Sequence, residues 1–489
     1  MRHRAVLVLG LLLACGPAAA SDGPPVGDDP RVKQALRLLE AWADGQQAYE
    51  RLPGVSMAVV HDQSVLWSRG FGFAHLDRKV PATPETMYSI CSISKLFTSV
   101  AVMQQRDAGR LRLDDPVAQH LPWMRIEQSF EGSAPITVRG LLTHSSGLPR
   151  EADFPYWTGP EYPFPPRERV LERVPQQKTL YPAERFFQYS NLGLTLAGEL
   201  VTATSGQPFA AYVQASILDP LGLRDTRTEH ADELRGGRLA TGYTAPRRDG
   251  TRQPVPPYQV RGIAPAAGFT STVLDLGRFA SWQFRVLGAT GGSATEVLAA
   301  NTLREMQRVQ WMDPDWKASR GLGFGIWRSG DKTFVGHGGY CPGYQSELLL
   351  QADERVATVF MTNTNGVDTR RWAQRAYEVV APAIKKALDD PKGAKPADPA
   401  LERYAGRYEV FTAGERVVVP WEDGLAVLSL PTDNPTGDAL VKLKPAGEHR
   451  FRRVRPDGSG LGEEVVFEMG ADGTPTRMLH HSNYFTRVR

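Results

Sequence analysis

Apolar side chains at Ala35, Leu38, Leu39 and Trp42 follow an i, i+3, i+4, i+7 spacing, which predicts a helix over residues 31–47. Residues 55–60 and 64–71 read as two strands around the turn His61-Asp62-Gln63. A longer helix is predicted from about Ser92 to Gly109, where glycine supplies the stop, with Ile93, Phe97 and Val100 as its packing stripe. From about 116 to 281 short helices alternate with Pro- and Gly-rich loops. Within that stretch, residues 151–169 carry many prolines and aromatics and read as an ordered surface loop on the rim of a cleft. Between Leu322 and Met361 the pattern turns to strands, in GFGIW, KTFVGHG, YQSELLLQ and RVATVFMT, and a helix is predicted over 369–388. Strands at both ends with helices between them predict an α+β domain over residues 31–390. Its one antiparallel sheet is drawn from both ends and flanked by helices.

The two ends of the chain read differently. Residues 391–400, PKGAKPADPA, have the composition of a linker. Residues 401–489 are short β-like runs separated by turns at 422–424, 456–458 and 472–473, which predict a small all-β barrel or sandwich. At the N-terminus a basic MRHR precedes the apolar run AVLVLGLLLA. That run is too short for a bilayer, which needs about 20 residues, so residues 1–20 read as a signal peptide. Ala18-Ala19-Ala20 offers one cleavage site. Leu12-Leu13-Ala14-Cys15 resembles a lipobox, which would make Cys15 a lipid anchor to a membrane. Residues 21–30 form a polar tether. Either reading predicts an exported protein, periplasmic or secreted, or an outer-membrane lipoprotein if Cys15 is lipidated.

Composition narrows the partners. Of 489 residues 41% are hydrophobic and 23% charged, an ordinary globular balance. The 57 basic and 54 acidic residues leave a net charge of +3 with no dense basic block, which argues against nucleic acid. A small-molecule or peptide substrate fits better. The ten histidines show no H-E-x-x-H spacing. His480 and His481 are adjacent, and in a strand they would face opposite sides. No metal and no cofactor is therefore expected.

The stretch YSICSISKLFT, 88–98, holds Ser89, Cys91, Ser92, Ser94 and a single lysine, Lys95. At about 100° per residue in a helix, Ser92 and Lys95 lie about 60° apart on one face, and Ser94 points about 160° away from Ser92. A buried lysine can serve as base to a serine, and a helix start favours developing negative charge. The four-residue S-x-x-K pattern alone also fits an ordinary exposed helix start. Tyr189-Ser190-Asn191 could supply a proton shuttle and an amide, or simply a helix N-cap. Gly336-His337-Gly338-Gly339-Tyr340 could lay a substrate along a strand edge, or form a plain Gly-rich hairpin. GYCPG, 339–343, has the outline of a nucleophile elbow at Cys341. The residue after that cysteine is Pro342, which lacks the N–H such an elbow uses.

Taken in order, S-x-x-K, Y-x-N and H-x-G resemble the motifs of the penicillin-binding-protein and class C β-lactamase superfamily of serine hydrolases. The resemblance extends through ITVRGLLTHSSGLP, 136–149, and AAGFTSTVLDLGRFA, 266–280, over roughly residues 31–388. It implies Ser92 as acylated nucleophile, Lys95 as its base and Tyr189 as the proton shuttle. It implies Asn191, His337, Gly338 and Gly339 as substrate-binding residues, and the backbone N–H groups of Ser92 and Tyr340 as the oxyanion hole. His337 replaces a lysine of the K-T-G version. Histidine is mostly neutral at pH 7, so a strict requirement for a substrate carboxylate is not expected. Members with His-x-Gly point to amides or esters, D-residue peptides or peptidoglycan fragments first. A short-chain carboxylesterase, a β-lactamase and a catalytically silent binding protein are the alternatives. LERYAGRY, 401–408, resembles the start of the lipocalin-like barrel appended to some of these enzymes. If Ser92 and Tyr340 share one oxyanion hole, Cys91 and Cys341 must lie close; they could form a disulfide or stay as two lone buried cysteines.

Overall fold

The computed structural model describes residues 25–488, apart from Ala231, residues 290–294, Lys317, Ala394 and Ala413. The expected signal peptide, Cys15 and the first part of the tether lie outside the described residues. Helix α1 (Pro30–Tyr49) starts where Asp29 accepts the Arg31 N–H at 2.8 Å and Pro30 pre-sets the first turn. Strands β1 (Gly54–His61) and β2 (Ser64–His75) then form a hairpin, with Asp62 in the left-handed region at φ 49°. These spans match the predicted helix and strand pair to within a few residues.

The short β3 (Val80–Pro81) and the later β4 (Trp311–Met312), β5 (Ser319–Arg320), β6 (Gly325–Ser329), β7 (Lys332–Cys341), β8 (Tyr344–Gln351) and β9 (Val356–Thr362) complete one sheet. Its order is β3-β2-β1-β9-β8-β7-β6-β5-β4, and β1 pairs antiparallel with β9. The sheet is thus sewn from both ends of the domain. Alternation along β1 gives it two buried faces. Ala58 and Val60 face a core with α2 (Ser94–Asp107), α3 (Val138–Thr143), α4 (Asn191–Ser205), the short α5 (Ala264–Ala267) and α6 (Val273–Gly288). Val55, Met57 and Val59 face a second core with α1 and α7 (Thr369–Asp389).

After α7 the chain closes an eight-stranded antiparallel barrel. Its strands are β10 (Gly406–Glu409), β11 (Glu415–Trp421), β12 (Gly424–Leu430), β13 (Leu440–Gly447), β14 (Arg450–Val454), β15 (Leu461–Met469), β16 (Pro475–His480) and β17 (Asn483–Val488). Inward Val418, Leu425 and Val427 share the lumen with a plug of Tyr404, Tyr408, Phe451 and Phe467. Outward Val417, Val419, Ala426, Leu428 and Leu430 pack on α1 instead. Trp42 locks the joint: it packs against Trp372 of α7, ring centres 4.7 Å apart and tilted by 44°, and donates its indole N–H to the Thr432 carbonyl at 2.9 Å. The barrel therefore sits behind α1, on the face of the sheet away from α2.

Three expectations need correcting. Ser92 is not inside the long helix but in a 3-10 turn, Cys91–Ile93, ahead of α2. Cys91 has φ 49°, which no α-helix accepts. The loop 151–169 is not confined to the surface: Tyr156 and Phe164 are buried in the helical core, and helical structure resumes at Arg167. His480 and His481 do not face opposite sides, because the strand ends at His480 and His481 turns to φ 54°. Both imidazoles reach the Glu463 carboxylate, at 2.7 and 3.2 Å.

Trp42→Ala is expected to cost about 3–5 kcal/mol, because it removes a fully buried ring that α1, α7 and the barrel share. A denaturant titration that left the midpoint unchanged would contradict this account of the joint.

Candidate active site

The tight turn at Cys91–Ile93 exposes one side chain. Cys91 and Ile93 are fully buried, while Ser92 between them reaches the surface of a cleft. Ser94, the serine that helix geometry set aside, is buried: its hydroxyl donates to the Cys91 carbonyl at 2.5 Å and accepts the Phe269 N–H at 3.0 Å. It braces the turn and offers nothing to the cleft.

Strand β7 forms the opposite wall. Its turns to β6 and β8 are two residues each, Gly330-Asp331 and Pro342-Gly343, so Ser329–Lys332 and Cys341–Tyr344 are hydrogen-bonded pairs. Alternation from both ends aims the backbone groups of Gly336, Gly338 and Tyr340 toward the β6 side. Pairing with β6 stops at Gly336, which leaves the Tyr340 N–H on an open edge. Gly339 lets this edge come close: a Cβ there would lie 2.3 Å from the Ile90 carbonyl oxygen and 2.3 Å from Ser346 Oγ. One residue on, Cys341 is joined to Cys91 by a disulfide, with Cα atoms 5.7 Å apart. Cys341 is therefore spoken for and cannot serve as an elbow nucleophile.

Lys95 lies one turn beyond Ser92 with no exposed surface. Its Nζ is 3.1 Å from Ser92 Oγ, 2.8 Å from Asn191 Oδ1 and 2.8 Å from the Ala266 carbonyl. Burial holds its ammonium form well below the ordinary lysine value of 10.5; Glu151 pulls the other way and Arg150 adds to the lowering. A neutral amine has two hydrogens and one lone pair. Two carbonyl oxygens, which only accept, take both hydrogens, so the lone pair faces Ser92.

Tyr189 closes the other side of the serine. Its phenol is raised to about 12 by burial, against the lowering influence of the Ser92 hydroxyl beside it. It is a proton donor at neutral pH, not a phenolate. Its ring stacks on His144 at 4.3 Å and lies under Lys95 Nζ and the Arg150 guanidinium, each 4.9 Å from its centre. His144 is left-handed at the end of α3 (φ 60°) and accepts the Ser190 N–H through Nδ1 at 3.1 Å. Ser190 in turn caps α4 by accepting the Gly193 N–H at 2.8 Å. The Ser190 cap thus coexists with the placement of Tyr189 beside Ser92.

Asn191 differs from its expected substrate-facing role. Oδ1 receives Lys95, and Nδ2 donates to Glu151 Oε1 at 2.6 Å, so both ends of the amide are used internally. His337 does line the cleft. Its Nδ1 lies 2.6 Å from the Gly338 carbonyl, which can only accept, so Nδ1 carries the proton and Nε2 is a lone-pair acceptor. Burial, with Lys95 nearby, lowers His337 to about 3, so it is neutral. A cavity of about 240 Å³ adjoins Tyr189, His337 and Gly338, and the guanidinium groups of Arg320 and Arg370 line it. Arg320 stacks on Phe187 at 4.7 Å.

Sequence reasoning placed Ser92, Lys95, Tyr189, His337 and β7 together, and the structure brings them together. It missed Glu151, Arg150, the Ala266 carbonyl and the stacking of His144, because their roles arise from contacts between distant segments that no local spacing records. Among the described residues one group could hold a metal ion, Glu463, His480 and His481, whose ligand atoms lie within 4.8 Å of one another. It sits on the barrel, and Arg453 also approaches Glu463, at 3.3 Å. No helix among the described residues is long and apolar enough to cross a membrane.

The sequence model of the Beta-lactamase family matches residues 39–381. Beta-lactamase-like protein 2 of Dictyostelium discoideum is 23% identical over 380 residues, covering 76% of this chain and 67% of that protein. Protein flp of Staphylococcus aureus is 29% identical over 178 residues, covering 36% of this chain and only 34% of flp. Two solved structures are similar in fold. One is the octameric penicillin-binding protein homologue from Pyrococcus abyssi (TM-score 0.60, 23% identity, 92% of this chain and 100% of that one). The other is SurE (TM-score 0.56, 20% identity, 94% of this chain and 99% of that one).

Two outcomes test this geometry. Gly339→Ala should leave the chain folded, by circular dichroism, but lower any Ser92-dependent activity at least about tenfold, since a misplacement near 1 Å costs up to about 10²-fold. Replacing Cys91 and Cys341 by Ala should lower stability by about 2–4 kcal/mol. Thiol titration of the oxidised, unfolded protein that found both cysteines free would contradict the disulfide.

Proposed function

The chain belongs to the Beta-lactamase family, and from that premise we propose that it is an exported serine hydrolase working through an acyl-enzyme on Ser92. The observation that carries this reading is Lys95 Nζ, 3.1 Å from Ser92 Oγ with two carbonyl acceptors at 2.8 Å, which in the neutral amine leaves the lone pair for the serine. Ser92 Oγ attacks the substrate carbonyl carbon while its proton passes to Lys95 Nζ. The N–H groups of Ser92 and Tyr340 hold the oxyanion. As the tetrahedral adduct collapses, the proton reaches the leaving nitrogen or oxygen through the Tyr189 phenol. Water then attacks the Ser92 ester, gives its proton to the Tyr189–Lys95 pair, and the acid leaves with the serine hydroxyl restored.

The substrate class we propose is D-residue peptides or peptidoglycan fragments. His337 is neutral and offers an acceptor, which suits a substrate N–H rather than a carboxylate. Arg320 supplies positive charge in the adjoining cavity, where Arg370 is held by the buried Glu347 carboxylate at 3.3 Å, so a free carboxylate one step along the substrate also finds a partner in Arg320. This combination favours a peptide over a simple short-chain ester, the second reading. A β-lactam ranks behind both, because no lysine stands at position 337.

A fluorophosphonate should label the protein at Ser92, and Ser92→Ala should abolish labelling, whereas Ser94→Ala should retain it in proportion to the folded fraction. The activity kcat/KM should rise with pH as Lys95 loses its proton, and level off well below the ordinary lysine value of 10.5. Lys95→Arg should remove it, since guanidinium does not deprotonate. Hydrolysis of a D-Ala-D-Ala peptide faster than its L,L isomer supports the peptidase; p-nitrophenyl acetate turnover with no peptide hydrolysis supports the esterase. A folded protein labelled by no serine-directed reagent would overturn both.

A further inference from the structure

The direction of the Lys95 lone pair depends on which end of the Asn191 amide faces it. With Oδ1 toward Nζ, the lysine donates and keeps its lone pair for Ser92. With Nδ2 toward Nζ, the amide would donate into that lone pair and Ser92 would lose its base. The two ends of an asparagine amide are nearly the same size, so packing alone does not choose between them. Glu151 can choose. Its Oε1 lies 2.6 Å from Asn191 Nδ2, and a carboxylate only accepts, so Nδ2 must turn toward Glu151 and Oδ1 toward the lysine.

The carboxylate is itself held. The Tyr156 hydroxyl, on a fully buried ring, donates to its Oε2. Arg150 Nε lies 3.3 Å from Oε1. The proline- and aromatic-rich segment after α3 thus carries an anchor that reaches the nucleophile's base through one side chain. The titratable and charged groups facing Lys95 are Glu151 and Arg150 on that segment, His144 at the end of α3, Tyr189 before α4 and His337 on β7. Of these, Glu151 bonds the amide that bonds the lysine.

We propose that Glu151 is a positioning residue that fixes the amide orientation of Asn191 and thereby leaves the lone pair of Lys95 free for Ser92. This rests on the reading of Ser92 and Lys95 as nucleophile and base. Its negative charge has a second effect: it favours the protonated lysine, so its removal shifts the acid limb of the pH profile downward.

The test is a double-mutant cycle between Glu151 and Asn191 in the full chain, with kcat read at each variant's own pH optimum. Glu151→Gln keeps the size but presents both donor and acceptor, so the amide is no longer directed. It should fold, by circular dichroism, lose about 10²-fold in kcat, on the scale of a general base, and move the acid limb to lower pH. Asn191→Asp alone should also lose activity, because two carboxylates then face each other. Added to Glu151→Gln, however, Asn191→Asp should raise kcat at least about fivefold, a modest part of that general-base factor. The aspartate gives Lys95 an acceptor whichever oxygen faces it, and its charge should move the acid limb to higher pH.

A structural contact alone does not predict this reversal of sign. If Asn191→Asp lowers kcat in both backgrounds, or if Glu151→Gln keeps the wild-type kcat and pH profile, the proposal is overturned. If Glu151→Gln does not fold, Glu151→Ala takes its place in the same cycle, with the same reversal expected. Wild-type protein that a fluorophosphonate fails to label at Ser92 overturns the reading of the site itself. Labelled wild type with an unaffected Glu151→Gln overturns only the role of Glu151.

Discussion

A lysine with no exposed surface and, among the described residues, no carboxylate in direct contact governs the design of this molecule. Taking an ammonium ion out of water without a counter-ion is so unfavourable that the group sheds its proton instead. The fold must therefore enclose Lys95 completely while leaving Ser92, three residues earlier, open to a cleft. The 3-10 turn accomplishes this. It lets the chain bury Cys91, Ile93, Ser94 and Lys95 and expose Ser92 alone. The helices α4 and α5 then supply the two carbonyl oxygens that occupy the amine's hydrogens.

The opposite wall follows from the same need for closeness. Strand β7 contributes an open edge because its partner β6 stops short at Gly336. It can approach the Cys91–Ile93 turn because Gly339 has no side chain to meet the Ile90 carbonyl. The disulfide then ties the two walls one residue from Ser92 on one side and from Tyr340 on the other. The turn with Lys95 and the facing wall come from segments 250 residues apart, and the sheet sewn from both ends of the domain is what registers them.

Much of this was legible in the chain. Periodicity located α1, the β1–β2 hairpin, α7 and the four long strands after Leu322, because amphipathic helices and sandwiched strands carry strong repeats. Motif order assembled Ser92, Lys95, Tyr189 and His337. The turn at Ser92 escaped because only a positive φ at Cys91 separates it from a helix start, and cysteine gives no hint of that. The inward turn of Tyr156 and Phe164 escaped because proline-rich composition reads as surface. Glu151 escaped because its meaning lies in a hydrogen bond to an amide forty residues away. The adjacent histidines misled because a strand was assumed to continue through them.

The barrel's seat on α1 sets an order of events in building the molecule. Trp42, near the start, donates its indole N–H to the Thr432 carbonyl across 390 residues, and outward barrel residues complete the core beneath it. The first helix thus gains its inner partner, α7, only after some 320 residues, and its outer side stays open until the barrel strands have emerged. Contacts this distant in sequence form slowly, and waiting surfaces of this kind invite association.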